Sequence, residues 1–172
     1  MSREKDFQVF SDCHQHDGIT LRRAKQVDKG AIWQVHIRSI REVCKTHYSE
    51  KELRMWTEVL KPDRYEEQIN KGPFYVAVEN ETIIAFGNLN KKSGEIEALY
   101  VGPEYLRRGV GRKILQTLEN EALDSGLKRL CLTSSLNAVG FYEGAGYRPQ
   151  RQKRWLLPFE MVVCVTMTKK IA

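Results

Sequence analysis

The sequence predicts an α/β fold in which helices flank a mixed, mostly antiparallel sheet. Segments with the two-residue alternation of strands and segments with helically spaced apolar residues follow one another along the chain. Two strand-like runs, 74–78 and 82–87, are joined by a short polar turn and predict an antiparallel hairpin. A strand, a helix and a second strand follow within 95–133, and such a unit is parallel and right-handed. The sheet is therefore expected to contain a parallel pair near its middle.

The composition indicates one globular domain. The chain has 172 residues, with 28 Lys and Arg against 22 Asp and Glu, and hence a formal net charge of +6. Charged residues at 29% and hydrophobic residues at 41% exclude a disordered tail, and no apolar run is long enough for a membrane helix. The positive charge suits a polyanionic partner, either nucleic acid or a small ligand with several phosphates.

The cysteines predict free thiols in a reducing cytoplasm. None of the four stands in a Cys-x-x-Cys pair, and Cys131 and Cys164 fall inside apolar strand-like runs. Neither disulfides nor a zinc site is therefore expected, and the protein is predicted to be cytoplasmic.

Residues 1–18 are polar and are expected to form a mobile N-terminal extension of a single domain over 19–172. They have the features of neither a secretion signal nor a transit peptide. A metal site built from Cys13, His14 and His16 is a weaker alternative, because ligands so close in sequence need others from elsewhere in the chain. We predict no metal.

The first half of the chain is mainly helical after an initial strand at 19–22. Apolar residues at helical spacing predict a helix over about 26–46. Ser49, with Glu52 three residues later, forms a capping box that begins a second helix. A short third helix is expected around 65–69.

The second half alternates between strands and helices. A strand over 95–101 ends at Gly102-Pro103, where a ladder cannot continue. A helix over 109–125, a strand over 127–133 and a short helix over 136–144 follow, and a β-rich tail begins at Tyr147.

The most informative motif is the basic, glycine-containing loop from Leu106 to Lys113, between a strand and a helix. Glycines there let several backbone N–H groups converge on one anion, and the helix N-terminus adds its positive dipole end. The loop lacks the Gly-Lys-Ser/Thr of a P-loop, and Ile114 stands where a dinucleotide fingerprint has its third glycine. It therefore predicts a phosphate-binding turn, with an ordinary helix start and a solvated basic rim as the alternative.

Two flanking motifs accompany this loop. The run IEALYVGPEY (96–105) leads into it, and LNAVGFYEGAGY (136–147) follows about 30 residues later. Together with the loop they resemble the GNAT superfamily of acetyl-CoA-dependent N-acetyltransferases, over roughly 19–169 and most strongly over 83–147. The resemblance implies a GNAT-like sheet with a splayed parallel pair, acetyl-CoA as co-substrate, and an amine acceptor.

The resemblance also implies which residues bind the cofactor. Main-chain groups of the strand before the loop would pair with pantetheine, and loop amides would surround the pyrophosphate. Leu106 stands where the family has Gln or Arg, and Ser135 stands where it has Asn, so Asn137 is an alternative partner for pantetheine. The implied cofactor-binding residues are Leu99, Tyr100, Val101, Leu106, Arg107, Arg108, Gly109, Val110, Gly111, Arg112, Ser135, Asn137 and Tyr142.

An amine acceptor defines the catalytic groups to look for. Glu95 and Glu97 are two residues apart on one strand and therefore face the same side of it. A carboxylate there could deprotonate the amine. We favour Glu97, which is further along the strand; a solvated strand face is the alternative. Tyr142 matches the family's tyrosine near the sulfur and is the candidate acid, with a core aromatic as its alternative.

The acceptor is expected to lie against the segment 25–72. A small-molecule or peptide amine is predicted, and a homodimer is left open.

The alternative functions are a CoA-binding regulator without turnover and a basic nucleic-acid-binding module. The latter is disfavoured because no motif interleaves aromatic and basic residues. The candidate aromatic and histidine residues of the segment 25–72 are Trp33, His36, His47, Tyr48, Trp56 and Tyr65, and a basic run near the last hairpin consists of Arg148, Arg151, Lys153 and Arg154.

Overall fold

A mixed sheet of seven strands organises the part of the chain that the computed structural model describes, residues 18–157 and 160–172. Its order is β1-β2-β3-β4-β5-β7-β6. Every neighbouring pair is antiparallel except β4 and β5, which are parallel as the sequence predicts. The strands are β1 Ile19–Arg23, β2 Phe74–Glu79, β3 Thr82–Asn90, β4 Glu95–Val101, β5 Arg129–Ser135, β6 Arg148–Leu157 and β7 Glu160–Lys170.

The predicted hairpin is formed by β2 and β3. Glu79 pairs with Thr82, so that Asn80 and Glu81 alone form the turn. Both turn residues have positive φ, 47° and 65°, which is the pattern of a type I′ turn, whose twist matches that of the strands.

Strand β4 is irregular in two ways. On β3, Asn88 and Leu89 are consecutive, but their partners on β4 are Ala98 and Ile96. Glu97 is therefore an extra residue, a β-bulge that reverses the faces of the residues after it. In addition, β4 pairs with β5 only at Glu95↔Cys131 and Ile96↔Leu132, so the two strands diverge beyond that point.

Five α-helices cover the two faces of the sheet within the described residues: α1 Lys29–Arg38, α2 Glu50–Glu58, α3 Arg64–Lys71, α4 Val110–Asp124 and α5 Val139–Glu143. The capping box of α2 is confirmed: the Ser49 N–H donates to Glu52 Oε2 over 2.7 Å, and the Glu52 N–H donates to Ser49 Oγ over 3.3 Å.

The helix predicted over 26–46 is not uniform. A 3₁₀ turn precedes α1, a π-helical turn follows it over Ser39–Val43, and a 3₁₀ turn ends it at Cys44–Thr46. The wider π turn changes the phase of the helix, which brings Ser39 and Cys44 to a cavity while Ile32 stays in the core.

The hydrophobic core lies on both faces of the sheet. On one face, Ile114 and Leu118 of α4 are fully buried beside β3. On the other, Ile32 of α1 and Tyr65 of α3 cover Phe86, whose ring stacks on Phe74 at 5.7 Å between centroids. No helix in the described part of the chain is long and apolar enough to span a bilayer.

Candidate active site

The loop before α4 has the backbone conformation that the glycine motif predicts. Arg107 and Gly109 both have positive φ, 60° and 76°. For Arg107 this left-handed conformation costs about 1–2 kcal/mol, and such local strain is concentrated at functional sites. Left-handed residues beside right-handed ones turn successive N–H groups to one side, and here they do so at the N-terminus of a helix of fifteen residues. The loop therefore has a backbone conformation suited to binding an anion.

A cavity of about 500 Å³ lies against this loop, and we call it the cofactor cavity. Every predicted cofactor-binding residue except Arg108 lines it. The Arg108 guanidinium is turned away and pairs with Glu79. Sequence reasoning did not name the remaining lining residues, which are Ser39, Val43, Cys44, Tyr105, Ala138 and Phe141.

The polar groups of the cofactor cavity fit a CoA-like ligand. Asn137 Oδ1 is buried and has no hydrogen-bond partner, so it is an acceptor available to an N–H group such as those of pantetheine. The anion-binding loop lies in the same cavity, with Arg107 and Arg112 in its wall. A phosphate-bearing group with amide N–H donors would thus satisfy both features.

A second cavity of about 320 Å³ adjoins the first, and we call it the acceptor cavity. Tyr100 and Ser135 line both cavities, where β4 and β5 diverge. Glu95 and Glu97 both line the acceptor cavity. Simple alternation would have put them on the face of Leu99, and the bulge at Glu97 instead leaves them beside Tyr100.

The two carboxylates differ in their surroundings. Glu97 is exposed, and both of its oxygens accept hydrogen bonds, Oε2 from the Asn88 amide at 2.7 Å and Oε1 from the Asn90 amide at 3.1 Å. Glu95 is half-buried. The amides fix the orientation of the Glu97 carboxylate while leaving each oxygen a free lone pair.

Tyr142 lies in the wall of the cofactor cavity and is only 6% exposed. Its position on the short helix α5 is set by edge-on contacts with Phe141 and Tyr147. Burial raises the pKa of the Tyr142 phenol well above its usual value, so the hydroxyl stays protonated at neutral pH. It can act there as a hydrogen-bond donor or a proton donor.

The segment predicted to face the acceptor contributes unevenly. His36, Trp56 and Tyr65 line the acceptor cavity. Tyr48 instead connects its segment to β7 and to the turn after β5, since its hydroxyl donates to Val163 O and accepts from the Leu136 N–H. Trp33 donates to Leu60 O.

His36 is neutral at the bottom of this region. Its Nδ1 is 2.9 Å from the Tyr65 hydroxyl, and its ring lies 3.9 Å from that of Tyr100 between centroids. Burial, with a further effect of the Arg64 charge, lowers the pKa of His36 to about 3. The imidazole is therefore a neutral polar group.

Other candidates lie elsewhere. His47 is exposed and contacts Thr46. Of the basic run in β6, Lys153 lines the acceptor cavity and the three arginines do not. The alternative metal site at Cys13, His14 and His16 lies outside the described residues, as does the extension predicted over 1–18 except for Gly18. Within 18–157 and 160–172, no three His, Cys, Asp or Glu side chains are grouped to hold a metal ion.

Comparison with known proteins identifies the family. The sequence profile of the acetyltransferase (GNAT) domain matches residues 44–170. The chain belongs to the GNAT family of acetyltransferases. The predicted family is thereby confirmed, and with it the class of enzyme, an acetyl-CoA-dependent N-acetyltransferase.

Individual GNAT relatives agree in sequence and fold. The chain is 26% identical to the uncharacterised N-acetyltransferase YafP of Escherichia coli K12, over 80% of this chain and 87% of that protein. A GCN5-related N-acetyltransferase from Rhodopseudomonas palustris superposes with a TM-score of 0.83, at 24% identity, over 88% and 94% of the two chains. The PaiA N-acetyltransferase of Thermoplasma acidophilum, solved in complex with coenzyme A, gives 0.75 at 22% identity, over 88% and 98%. The predicted fold class is confirmed.

Proposed function

We propose that this GNAT protein transfers the acetyl group of acetyl-CoA directly to a primary amine while both substrates are bound. The observation that carries the proposal is the junction of the two cavities at Tyr100 and Ser135. A protonated Tyr142 lies on the cofactor side, and Glu95 and Glu97 lie on the acceptor side. A proposed acid and a proposed base would thus act from either side of one point of contact.

The cofactor side is proposed to hold acetyl-CoA, which supplies an acetyl group activated as a thioester. The loop amides from Arg108 to Arg112 would bind the pyrophosphate, and the unpaired Asn137 Oδ1 would accept from a pantetheine amide. Main-chain groups of Leu99 to Val101 are unpaired by β5 and free to bind pantetheine as an added strand. The CoA complex of the similarly folded PaiA supports this assignment.

The acceptor amine has to lose a proton before it can attack. A lysine-like amine with a pKa near 10.4 is almost wholly protonated at pH 7, and deprotonating it costs about 4.6 kcal/mol. The Glu97 carboxylate, oriented by two amides, would accept that proton directly or through a water molecule. The nitrogen lone pair then forms the new bond to the acetyl carbon. The nitrogen loses its second proton to water as the carbon–sulfur bond breaks, and Glu97 returns the first proton to solvent between turnovers.

The departing group is the CoA thiolate. As the carbon–sulfur bond breaks, its electron pair stays on sulfur, whose parent thiol has a pKa near 8.5. Tyr142, which burial keeps protonated, would donate its hydroxyl proton to that sulfur. The phenolate formed would be reprotonated from solvent between turnovers.

The proposal is tested by measuring CoA release with a thiol reagent, in the presence of acetyl-CoA and a panel of amines. Amine-dependent release is expected, and Tyr142→Phe should lower kcat by about 10²-fold or more with little change in acetyl-CoA affinity. A blank without amine corrects for the protein's own thiols; among these, burial raises the pKa of the Cys44 thiol in the cofactor cavity to about 11, so that it reacts slowly.

Tyr147→Phe is the matched control. Tyr147 is also buried and touches the Tyr142 ring, but it lines neither cavity. Its substitution should leave kcat within a factor of a few. Equal turnover by Tyr142→Phe and the unaltered protein would remove Tyr142 from the reaction, and failure to bind acetyl-CoA would refute the proposed function.

A further inference from the structure

The acceptor cavity contains charges of both signs. Glu95 and Glu97 come from β4, Arg64 from the start of α3, and Lys153 from the outer strand β6. Within residues 18–157 and 160–172, neither Arg64 nor Lys153 forms an ion pair with a carboxylate. The cations and the carboxylates are thus held in one cavity without neutralising each other.

Arg64 has no evident structural reason for its position. It is the first residue of α3, where the helix dipole favours an anion over a cation. Its charge also acts on the buried His36, whose pKa it helps to lower. An anionic ligand group near Arg64 would be stabilised by the guanidinium and by the helix terminus together.

The remaining walls are aromatic. Trp56, Trp155 and Tyr100 line the cavity, and the Trp56 and Trp155 rings meet edge-on at 6.4 Å between centroids. Aromatic faces bind both alkyl chains and ammonium groups. The connecting part of a small amine in this cavity would therefore contact these rings.

We propose that the acceptor is a small dipolar amine, whose ammonium group is bound by Glu95 and Glu97 and whose anionic group, a carboxylate or a phosphate, is bound by Arg64 and Lys153. This inference rests on the proposed function and names its substrate class. The volume of about 320 Å³ is at the lower end for ligand cavities, which favours a small molecule over a polypeptide.

Binding is tested first, without turnover, by intrinsic fluorescence, because Trp56 and Trp155 line the cavity. The probes are pairs that differ only in the anionic group: lysine and cadaverine, ornithine and putrescine, 4-aminobutyrate and propylamine. The dipolar member of at least one pair should bind at least tenfold more tightly than its partner. Comparing β-alanine with 2-aminoethyl phosphate decides between carboxylate and phosphate.

Arg64→Gln and Lys153→Gln should each weaken binding of the dipolar probe by about tenfold to a hundredfold, the effect of losing one hydrogen bond to a charged group. Neither should weaken the decarboxylated partner. Arg151→Gln removes the same charge from the same strand, at an exposed position outside the cavity, and should change nothing.

Steady-state acetylation separates the two proposals. In the unaltered protein, kcat/KM should be higher for the dipolar amine than for its decarboxylated partner. Loss of this difference in Arg64→Gln would support the inference. Equal use of both members of every pair, a preference for peptides, or no saturable binding of any dipolar probe would overturn it. In each of those cases acetyl-CoA binding and CoA release would still report on the proposed function independently.

Discussion

Glu97 is the residue at which the local geometry of the chain bears most directly on chemistry. The bulge adds it to β4, and the amides of Asn88 and Asn90 hold its two oxygens. Each oxygen keeps a free lone pair for a proton. Glu95, on the same strand and in the same cavity, lacks this pair of donors.

Glu97→Gln is therefore expected to lower kcat/KM by about 10²-fold to 10⁴-fold at pH 7. The deficit should shrink as the pH approaches the pKa of the acceptor amine, because a neutral amine no longer needs a base. Steady-state rates between pH 7 and pH 10 measure both effects. Glu95→Gln is the comparison: it should raise KM by weakening binding of the ammonium group and leave most of kcat, and a larger loss of kcat in that variant would transfer the role of base to Glu95.

His36 makes the stability of the protein depend on pH. Its pKa is about 3 in the folded protein and near 6.5 in an unfolded chain. Between these values the unfolded chain binds a proton that the folded protein does not, so acidification lowers the free energy of unfolding. The effect approaches 1.4 kcal/mol per pH unit below pH 6 and disappears above pH 7.

Urea denaturation between pH 5 and pH 7 should show this dependence of the free energy of unfolding on pH. The slope reports the number of protons taken up on unfolding, and His36→Phe should lower that number by up to one. His47→Gln is the matched control, because it removes an exposed histidine in place of the buried one. An identical slope in the His36→Phe variant would contradict the assignment.

At the level of elements, local patterns predicted most of the fold. The capping box at Ser49 and the hairpin around Asn80 depend on residues within a few positions, which the sequence displays directly. The π turn over Ser39–Val43 and the bulge at Glu97 were not predicted, because each shifts the phase of its segment by a single residue, and the neighbouring apolar residues are too few to show where the shift occurs. Both arise where tertiary packing leaves room for a cavity.

The two cavities of the candidate site differ in how far the sequence predicts them. The residues that line the cofactor cavity could be predicted, because the loop and the run around Tyr142 are continuous motifs. Arg64 and Lys153 were not assigned to the acceptor cavity, since they belong to distant segments that only the fold brings together. Spacing in sequence carries no signal for such pairs.

The contact between β3 and α4 provides a test at this scale. A Cβ atom on Gly87 would lie 2.7 Å from Ile114 Cγ2 and 3.2 Å from Ala98 O. Gly87→Ala should therefore force α4 away from the sheet and lower the free energy of unfolding by about 1–3 kcal/mol, measured by chemical denaturation.

Gly140→Ala is the natural comparison. Gly140 lies in α5, and nothing is within 4 Å of the position of its Cβ atom. Alanine there should be neutral or slightly stabilising, because it has the higher helix propensity. Equal destabilisation by both substitutions would show that the close approach of Ile114 does not limit the packing.

For the whole molecule, the weak point is the parallel junction in the sheet. Strands β1–β4 and β5–β7 are joined by only two residue pairs among the described residues. A ligand in the opening would bind the folded protein alone and stabilise it by mass action. At a hundred times its dissociation constant, CoA should contribute about 2.7 kcal/mol, a rise in Tm of about 5–10 °C.

Differential scanning fluorimetry with increasing CoA measures this shift. Gly111→Glu should abolish it, because a Cβ atom on Gly111 already lies 3.4 Å from Val101 Cγ2 and a longer side chain would enter the cofactor cavity. AMP, which lacks pantetheine, should give a smaller rise. A full shift in the Gly111→Glu variant would place CoA elsewhere on the protein.

The cofactor and acceptor cavities share Tyr100 and Ser135 among the described residues, and every other wall residue belongs to one cavity alone. Substitutions that reshape the acceptor walls therefore leave the cofactor walls unaltered. A gene copy can acquire a new substrate by changes in α1–α3 and β6 without first losing its acetyl donor. Under the proposed function, selection could then act on the acceptor half of the reaction while the donor half stays intact.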